Sequence, residues 1–308
     1  WVRFQRGLPR KIGGYRMVAN YLSEVSRGFS TFTQQNLVYC HSGGSNILER
    51  FYLDSSADCS LLVDRTPTTL TASSDNEWGF DYQYDSSSEE NYVIAHVAPN
   101  LSITNNDAGG QIFYGNVTGT DPLAEVTLPS GANCTGGIVA LHPYLMYYGT
   151  AGIIGWSKPG EPTNLTALTE GAGVARVWGQ KIIKGLPLRG SAPSGIFWAW
   201  DAVIRATFVG SPTYWQFDVI ASDCSIISAN SVVDYDGVFY WAGADRFLMY
   251  NGVVREIQNS LNLNYFFDGL NKDQKSKVFA VKVPRYGEIW WCYPRGEATE
   301  CSHAVVYN

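Results

Sequence analysis

The side chains that could do chemistry are scattered along this 308-residue sequence. Gly43-Gly44-Ser45 lacks the GxSxG pattern that exposes a catalytic serine, and no HExxH zinc signature occurs. The four histidines lie too far apart to indicate a metal triad. They are His41, His96, His142 and His303. We therefore predict neither a metal site nor a nucleophilic triad.

Glycine-rich and acidic loops are equally uninformative about cofactors. Gly171-Ala-Gly173 continues as Val-Ala-Arg, so the dinucleotide fingerprint fails, and no Walker A pattern is present. Asp234-Tyr-Asp236-Gly237 is similar to a calcium loop, but its glycine comes two positions too early. We predict a turn at this position and no cofactor for the protein.

Three carboxylates next to tryptophans, Glu77, Asp201 and Glu288, form a pattern also seen in sugar-binding sites. Paired carboxylates of this kind could hydrolyse a glycosidic bond. Hydrogen bonding at strand ends explains the same residues, and we favour it, so we predict that the protein is not an enzyme. Sequons at Asn100, Asn116, Asn133 and Asn164 would suit a glycosylated protein, but chance turn residues explain them better. A secreted glycan-binding or glycan-hydrolysing β-propeller remains the alternative.

Composition favours short strands and tight turns over helices. The sequence has 19 Tyr, 14 Phe, 10 Trp, 31 Gly and 13 Pro, and only 16% of its residues are charged. Helical signal is confined to Val18–Val25 and to Ile257–Lys277, which Gly269 interrupts. No apolar run approaches the roughly 18 residues that a membrane-spanning helix needs. We predict an all-β fold with short helical insertions and no membrane-spanning segment.

The six cysteines lie far apart and include no CxxC pair. They are Cys40, Cys59, Cys134, Cys224, Cys292 and Cys301. Several of them lie in or beside apolar runs, where a thiol behaves as a small hydrophobic side chain. We predict reduced, structural cysteines, with a Cys292–Cys301 disulfide as the less favoured alternative.

A repeat of about fifty residues organises the chain. Six aromatic-rich runs begin at residues 36, 91, 143, 194, 237 and 287, which gives spacings of 55, 52, 51, 43 and 50 residues. Each is followed by a second apolar run, as in a hairpin. A hairpin repeated at this period, with room for two more strands per unit, is typical of β-propeller blades. We predict a propeller of about six blades rather than a sandwich, with Trp241 and Trp290 packed between blades.

Charge is unevenly distributed. The net charge is −6, yet five basic residues precede Glu24, the first acidic residue, and leave 22 − 5 = 17 basic against 28 acidic residues in the rest. These five are Arg3, Arg6, Arg10, Lys11 and Arg16. We predict an N-terminal arm over residues 1–26, including a possible closing strand near Ile12–Asn20. The propeller domain then spans residues 27–308, with an incomplete last blade.

Several short phrases, in order, resemble the propeller-type tail hub or nozzle proteins of short-tailed bacteriophages. The resemblance runs from about Gly7 to Asn308. The phrases are Gly7–Tyr15, Leu62–Pro67, Glu77–Asp81, Gly210–Trp215, Val232–Asn251 and Lys277–Tyr293.

This resemblance implies a non-enzymatic structural subunit of the virion, assembled as a homohexamer around an axial channel that retains and then conducts the genome. Implied partners are a portal or adaptor ring, tail fibre or needle proteins, and double-stranded DNA in transit. Arg3, Arg6, Arg10, Lys11 and Arg16 become candidate inter-ring contacts. The acidic composition of the rest suggests a negatively charged channel wall that repels DNA phosphates.

Overall fold

A computed structural model describes residues 2–5, 8–11, 17, 22–56, 58–99, 109–190, 192–258 and 263–308. At the N-terminus, strand β1 (Val2–Gln5) pairs antiparallel with β2 (Leu8–Lys11) in a sheet of two strands. The remaining strands form six further sheets.

The six sheets follow one another along the chain as antiparallel meanders, here called blades 1 to 6. Blade 1 contains β3 (Gly28–Gln34), β4 (Leu37–Gly43), β5 (Leu48–Leu53) and β6 (Val63–Asp64). Blade 2 contains β7 (Asn76–Asp85), β8 (Glu90–Pro99), β9 (Gln111–Asn116) and β10 (Ala124–Glu125). Blade 3 contains β11 (Gly137–Leu141), β12 (Tyr144–Tyr148), β13 (Ile153–Trp156) and β14 (Gly173–Arg176).

Blades 4 to 6 continue the pattern. Blade 4 contains β15 (Ile182–Pro187), β16 (Ser194–Ala199), β17 (Ala202–Gly210) and β18 (Tyr214–Ser222). Blade 5 contains β19 (Val232–Tyr235), β20 (Val238–Ala242), β21 (Phe247–Tyr250) and β22 (Val254–Glu256). Blade 6 has three strands among the residues described, namely β23 (Phe279–Val283), β24 (Glu288–Tyr293) and β25 (His303–Tyr307).

The protein is a six-bladed β-propeller, which confirms the fold predicted from the repeat. Each of the six aromatic runs lies on the second strand of its blade, from β4 in blade 1 to β24 in blade 6. This strand lies inside its sheet, and in blades 2 to 5 both of its faces pack against neighbouring blades, so its residues are apolar. First strands of neighbouring blades lie next to each other in the pairs β3–β7, β7–β11, β11–β15 and β19–β23, around the central channel.

Apolar clusters fill five of the joints between blades. The joints from blade 1–2 to blade 5–6 contain, in order, Trp78, Tyr147, Phe197, Trp241 and Trp291. The prediction of a buried Trp241 is therefore confirmed. The prediction for Trp290 is wrong, because adjacent residues of a strand point to opposite faces and it is Trp291 that faces blade 5.

The joint between blades 6 and 1 differs from the other five. No apolar cluster of described residues spans it, and a groove of about 660 Å³ separates β23 from β3. Phe29 on one side is 54% exposed, and Phe279 and Val281 on the other are each 41% exposed. The segment before β3 lies against blade 1, where Ser23 donates its backbone N–H to Glu49 Oε2 at 3.0 Å.

Helices are few, as expected. The helical segments found within Ile257–Lys277 are shorter than the helix predicted there. Among the residues of this range that the structure describes, α1 (Leu263–Phe267) and a 3₁₀ segment (Lys272–Lys277) form, on either side of Gly269. Residues 22–25 of the other predicted helix are not helical, and residues 18–21 lie outside the described part. None of the helices described has the length and apolar character required to cross a bilayer.

The six cysteines are free thiols, so Cys292 and Cys301 do not form a disulfide. Cys40, Cys134 and Cys224 are buried. Burial raises the pKa of the Cys40 thiol to about 11 and that of Cys134 to about 12. These thiols are neutral packing groups at physiological pH.

Candidate functional site in the central channel

The central channel holds a cavity of about 330 Å³ at the end where the first strands begin. Its wall includes Glu77 at the start of β7, Gly137 at the start of β11 and Lys181 just before β15. The 3₁₀ segment Lys272–Lys277 contributes residues at the same end. Blades 2 to 6 therefore all contribute to one mouth, because their chains enter the inner strands on the same side of the propeller.

The mouth carries more basic than acidic side chains. Its charged lining residues are Lys181, Lys184, Lys272, Lys275, Glu77 and Asp273. The cavity inside one propeller thus carries four lysines against two carboxylates, whereas the acidic wall was predicted for the axial channel of the assembly and stays a prediction. The excess acidic residues of the chain, whose net charge is −6, lie elsewhere.

Asp81 on blade 2 and Lys184 on blade 4 attract each other electrostatically, and Asp81 also bonds to blade 3. Asp81 Oδ2 accepts a hydrogen bond from the backbone N–H of Ala140 at 2.7 Å, and Oδ1 accepts from the N–H of Tyr82 at 2.8 Å. Burial raises the pKa of Asp81, and these hydrogen bonds and the Lys184 charge oppose that rise. Burial likewise lowers the pKa of Lys184, and Asp81 opposes that shift. Each residue therefore favours the charged form of the other.

His96 presents a hydrogen-bond acceptor near the same cavity. Its Nε2 contacts the carbonyl oxygen of Cys134, and a carbonyl only accepts, so Nε2 carries the proton. Nδ1 then has a free lone pair, and no described residue bonds to it. Burial, followed by the charges of Lys181 and Lys184, lowers the pKa of His96 to about 4 despite the carbonyl contact. The ring is neutral at pH 7.

The three carboxylates that lie beside tryptophans do not come together. Glu77 belongs to blade 2, Asp201 to blade 4 and Glu288 to blade 6. Asp201 Oδ1 accepts from Trp178 Nε1 at 2.7 Å, and Glu288 Oε2 accepts from Trp290 Nε1 at 2.9 Å. These two carboxylates are therefore hydrogen-bond partners of indoles, whereas Glu77 lines the channel.

The other motifs form local turns. Asp234 Oδ1 accepts from the N–H of Gly237 at 2.8 Å, which closes the turn between β19 and β20. Asn116 and Asn133 accept hydrogen bonds from Thr118 and Thr150, and Asn164 donates to Glu161. Asn100 lies outside the described residues. Among the residues described, no group of three or more His, Cys, Asp or Glu side chains is arranged to hold a metal ion.

The basic residues of the arm are only partly described. Arg3 on β1 is the register partner of Arg10 on β2, and Lys11 at the end of β2 is exposed. Arg6 and Arg16 lie outside the described residues. The hairpin thus brings two of the five candidate inter-ring contacts opposite each other.

Sequence reasoning missed the Asp81–Lys184 pair. A usable signal was the alternation in Glu77-Trp78-Gly79-Phe80-Asp81, which places Glu77, Gly79 and Asp81 on one face of an inner strand and the aromatic rings on the other. The partner lysine gave no such signal, because it comes from a strand two blades away.

Comparisons with known proteins do not bear on the function. No protein-family model matches the chain, and no curated protein matches it. A chain from a solved structure described as "Crystal structure of Nidogen/Laminin Complex" is similar over 87% of this chain and 92% of that chain. The identity is 8% and the TM-score 0.44, a likeness that bears on no functional question.

Proposed function

We propose that the protein is a structural subunit of a bacteriophage tail, part of a nozzle or hub ring whose axial channel retains and then conducts the genome. The ordered sequence phrases suggest this class, and a six-bladed propeller is compatible with it. In this proposal the protein acts as a rigid wall and carries out no reaction. Copies of the chain, in a homohexamer, enclose the DNA channel between them.

The observation that best supports a subunit of an assembly is the length of the exposed outer strand of blade 4. β18 (Tyr214–Ser222) has nine residues and lies at the edge of its sheet, whereas the outer strands of blades 1 and 2 have two residues each. A long open edge presents unpaired backbone groups to other chains. Val219 on this strand is 46% exposed. Pairing with a second copy would give the backbone N–H and C=O groups of β18 hydrogen-bond partners and would bury the Val219 side chain.

The charge distribution is compatible with a distinction between the cavity inside one propeller and the DNA channel between copies. The charged side chains that line the small cavity inside one propeller are mainly lysines, and it is the space between copies that would conduct DNA in the assembled ring. An acidic outer surface facing that space would repel phosphates and keep the duplex moving. The basic residues of the arm, Lys11 among them, would then contact the adjacent portal or adaptor ring.

Native mass spectrometry of purified tails tests this proposal. We expect the chain to occur in six copies per tail, and Val219→Lys to prevent incorporation by placing a charge on the edge strand. Val253→Lys, at an exposed position in blade 5, is the matched control and should assemble normally. A chain absent from purified tails, or a soluble monomer that binds glycans on an array, would contradict the proposal and favour the glycan-binding alternative.

A further inference from the structure

Two buried side chains in the joint between blades 1 and 2 leave ring or guanidinium nitrogens without a partner. His41 on β4 and Arg50 on β5 are direct register partners, so their side chains project from the same face of blade 1. His41 is 0% exposed and Arg50 4% exposed. His41 Nε2 and Arg50 Nε have no hydrogen-bond partner, although both atoms are buried.

The hydrogen bonding of His41 leaves its Nε2 free to donate. Nδ1 lies 3.2 Å from the hydroxyl of Tyr82 on blade 2, and the ring packs near Phe80. When the hydroxyl donates to Nδ1, the imidazole proton resides on Nε2. Burial, followed by the charges of Arg65 and Arg50, lowers the pKa of His41 to about 3, so the ring is neutral at pH 7.

Arg50 is a buried cation that forms no ion pair with any described carboxylate. Its guanidinium lies over the Tyr39 ring, 5.4 Å from the centroid, and the carboxylate of Glu49 is on the opposite face, where it accepts from Ser23. Arg65, also buried, donates to the carbonyl oxygens of Asp121 and Asn116 at 2.9 and 2.8 Å. The carboxylate of Asp121 acts on Arg65, whereas no carboxylate is among the groups that shift the pKa of Arg50. A buried guanidinium without a counter-charge is strongly unfavourable.

We propose that His41 Nε2–H and Arg50 Nε–H together bind one monatomic anion, chloride in ordinary buffers, which holds blade 1 against blade 2. Both groups are donors, so the ligand must accept from each. A water molecule would also need acceptors for its own hydrogens, whereas a halide needs none, and the positive charges of Arg50 and Arg65 favour it. The Tyr39 ring lies against the Arg50 guanidinium, and the Phe80 and Tyr82 rings lie beside His41, so aromatic groups crowd both donors and favour a compact halide over a larger oxyanion.

Bromide-soaked crystals of the wild-type protein test the site directly. We expect an anomalous peak between His41 Nε2 and Arg50 Nε. Water density at that position in a bromide crystal, or no density at all, would overturn the proposal.

Thermal unfolding provides a test in solution. We expect a higher melting temperature in sodium chloride than in sodium isethionate at equal ionic strength, rising with chloride concentration as for a ligand of the native state. His41→Phe, which keeps the ring and removes the N–H, should abolish the difference between the two salts. Arg205→Met, a partly exposed arginine of blade 4, is the control and should retain it. Equal wild-type melting temperatures in the two salts would contradict the site whatever the variants do.

Discussion

Trp291 donates a hydrogen bond from its indole Nε1 to the backbone carbonyl oxygen of Ser231 at 2.9 Å, across the joint between blades 5 and 6. Trp78 does the same across the joint between blades 1 and 2, where its Nε1 donates to the carbonyl of Gly44 at 2.7 Å. In each joint the indole fills the gap and also fixes the position of one blade relative to the next, because its polar atom has a partner on the neighbouring blade.

Removal of the Trp291 ring should therefore destabilise the propeller strongly. We expect Trp291→Ala to lower the free energy of unfolding by about 3–5 kcal/mol, the usual range for a buried large aromatic side chain. Trp290→Ala is the matched control: this neighbouring side chain is only half-buried and bonds to Glu288 of its own strand, so its loss should cost less. Urea denaturation measures both. Equal losses for the two variants would show that the assignment of strand faces is incorrect.

Glycines set how closely blades 1 and 2 approach. A Cβ on Gly43 would collide with the Trp78 ring. We expect Gly43→Ala to lower the free energy of unfolding by about 1–3 kcal/mol, since the packed ring must shift. Gly179→Ala, where a Cβ meets no neighbour within 4 Å, should change it by less than about 0.5 kcal/mol. Chemical denaturation of the pair checks this, and a neutral Gly43→Ala would contradict the close approach.

The buried imidazole of His96 should make stability depend on pH. Its pKa is lowered from 6.5 to about 4 in the folded protein, so between these values the unfolded chain binds more protons. Stability from this group is fully present above about pH 6.5 and is lost as the pH falls towards 4.

We expect His96→Gln to reduce the slope of unfolding free energy against pH by about 1.4 kcal/mol per pH unit in this window. Denaturant titrations at pH 4.5, 5.5 and 7.5 supply the comparison. His142→Gln is a control that replaces a histidine elsewhere, in the turn between β11 and β12. A His96→Gln slope identical to the wild-type slope would mean that the imidazole is solvated in the folded state.

The effects of substituting Asp81 and Lys184 on stability should be coupled. Asp81→Asn leaves Lys184 without its counter-charge, and Lys184→Met leaves Asp81 without one, so each single change should destabilise the fold. The double variant should lose less than the sum, with a coupling of about 0.5–3 kcal/mol in a double-mutant cycle. Additive effects would indicate that channel water screens the two charges from each other.

The blade count was predictable because the second strand of every blade lies inside its sheet and contains one of the six aromatic-rich runs. The runs at Asn36–Cys40 and Gly237–Gly243, for example, fall on β4 and β20. Adjacent residues of a strand point to opposite faces, so the sequence alone could not show whether Trp290 or Trp291 faces blade 5. The pairing of β24 within its sheet decides between them.

Side chains that meet across blades could not be predicted. His41 and Arg50 are nine residues apart in the sequence, but their unmatched donors matter only because Tyr82 and Phe80 of the next blade close over them. The lysines of the channel mouth come in two pairs, Lys181 and Lys184 at the start of blade 4 and Lys272 and Lys275 in the 3₁₀ segment, and no sequence pattern relates one pair to the other. Ring closure, rather than any motif, brings them together.

Electron cryomicroscopy of intact tails can show whether the protein forms a ring subunit. We expect six copies of this propeller in a ring around the tail axis below the portal, with β18 of each copy against its neighbour. Tail density that cannot hold the propeller, or that places a single copy away from the axis, would contradict it.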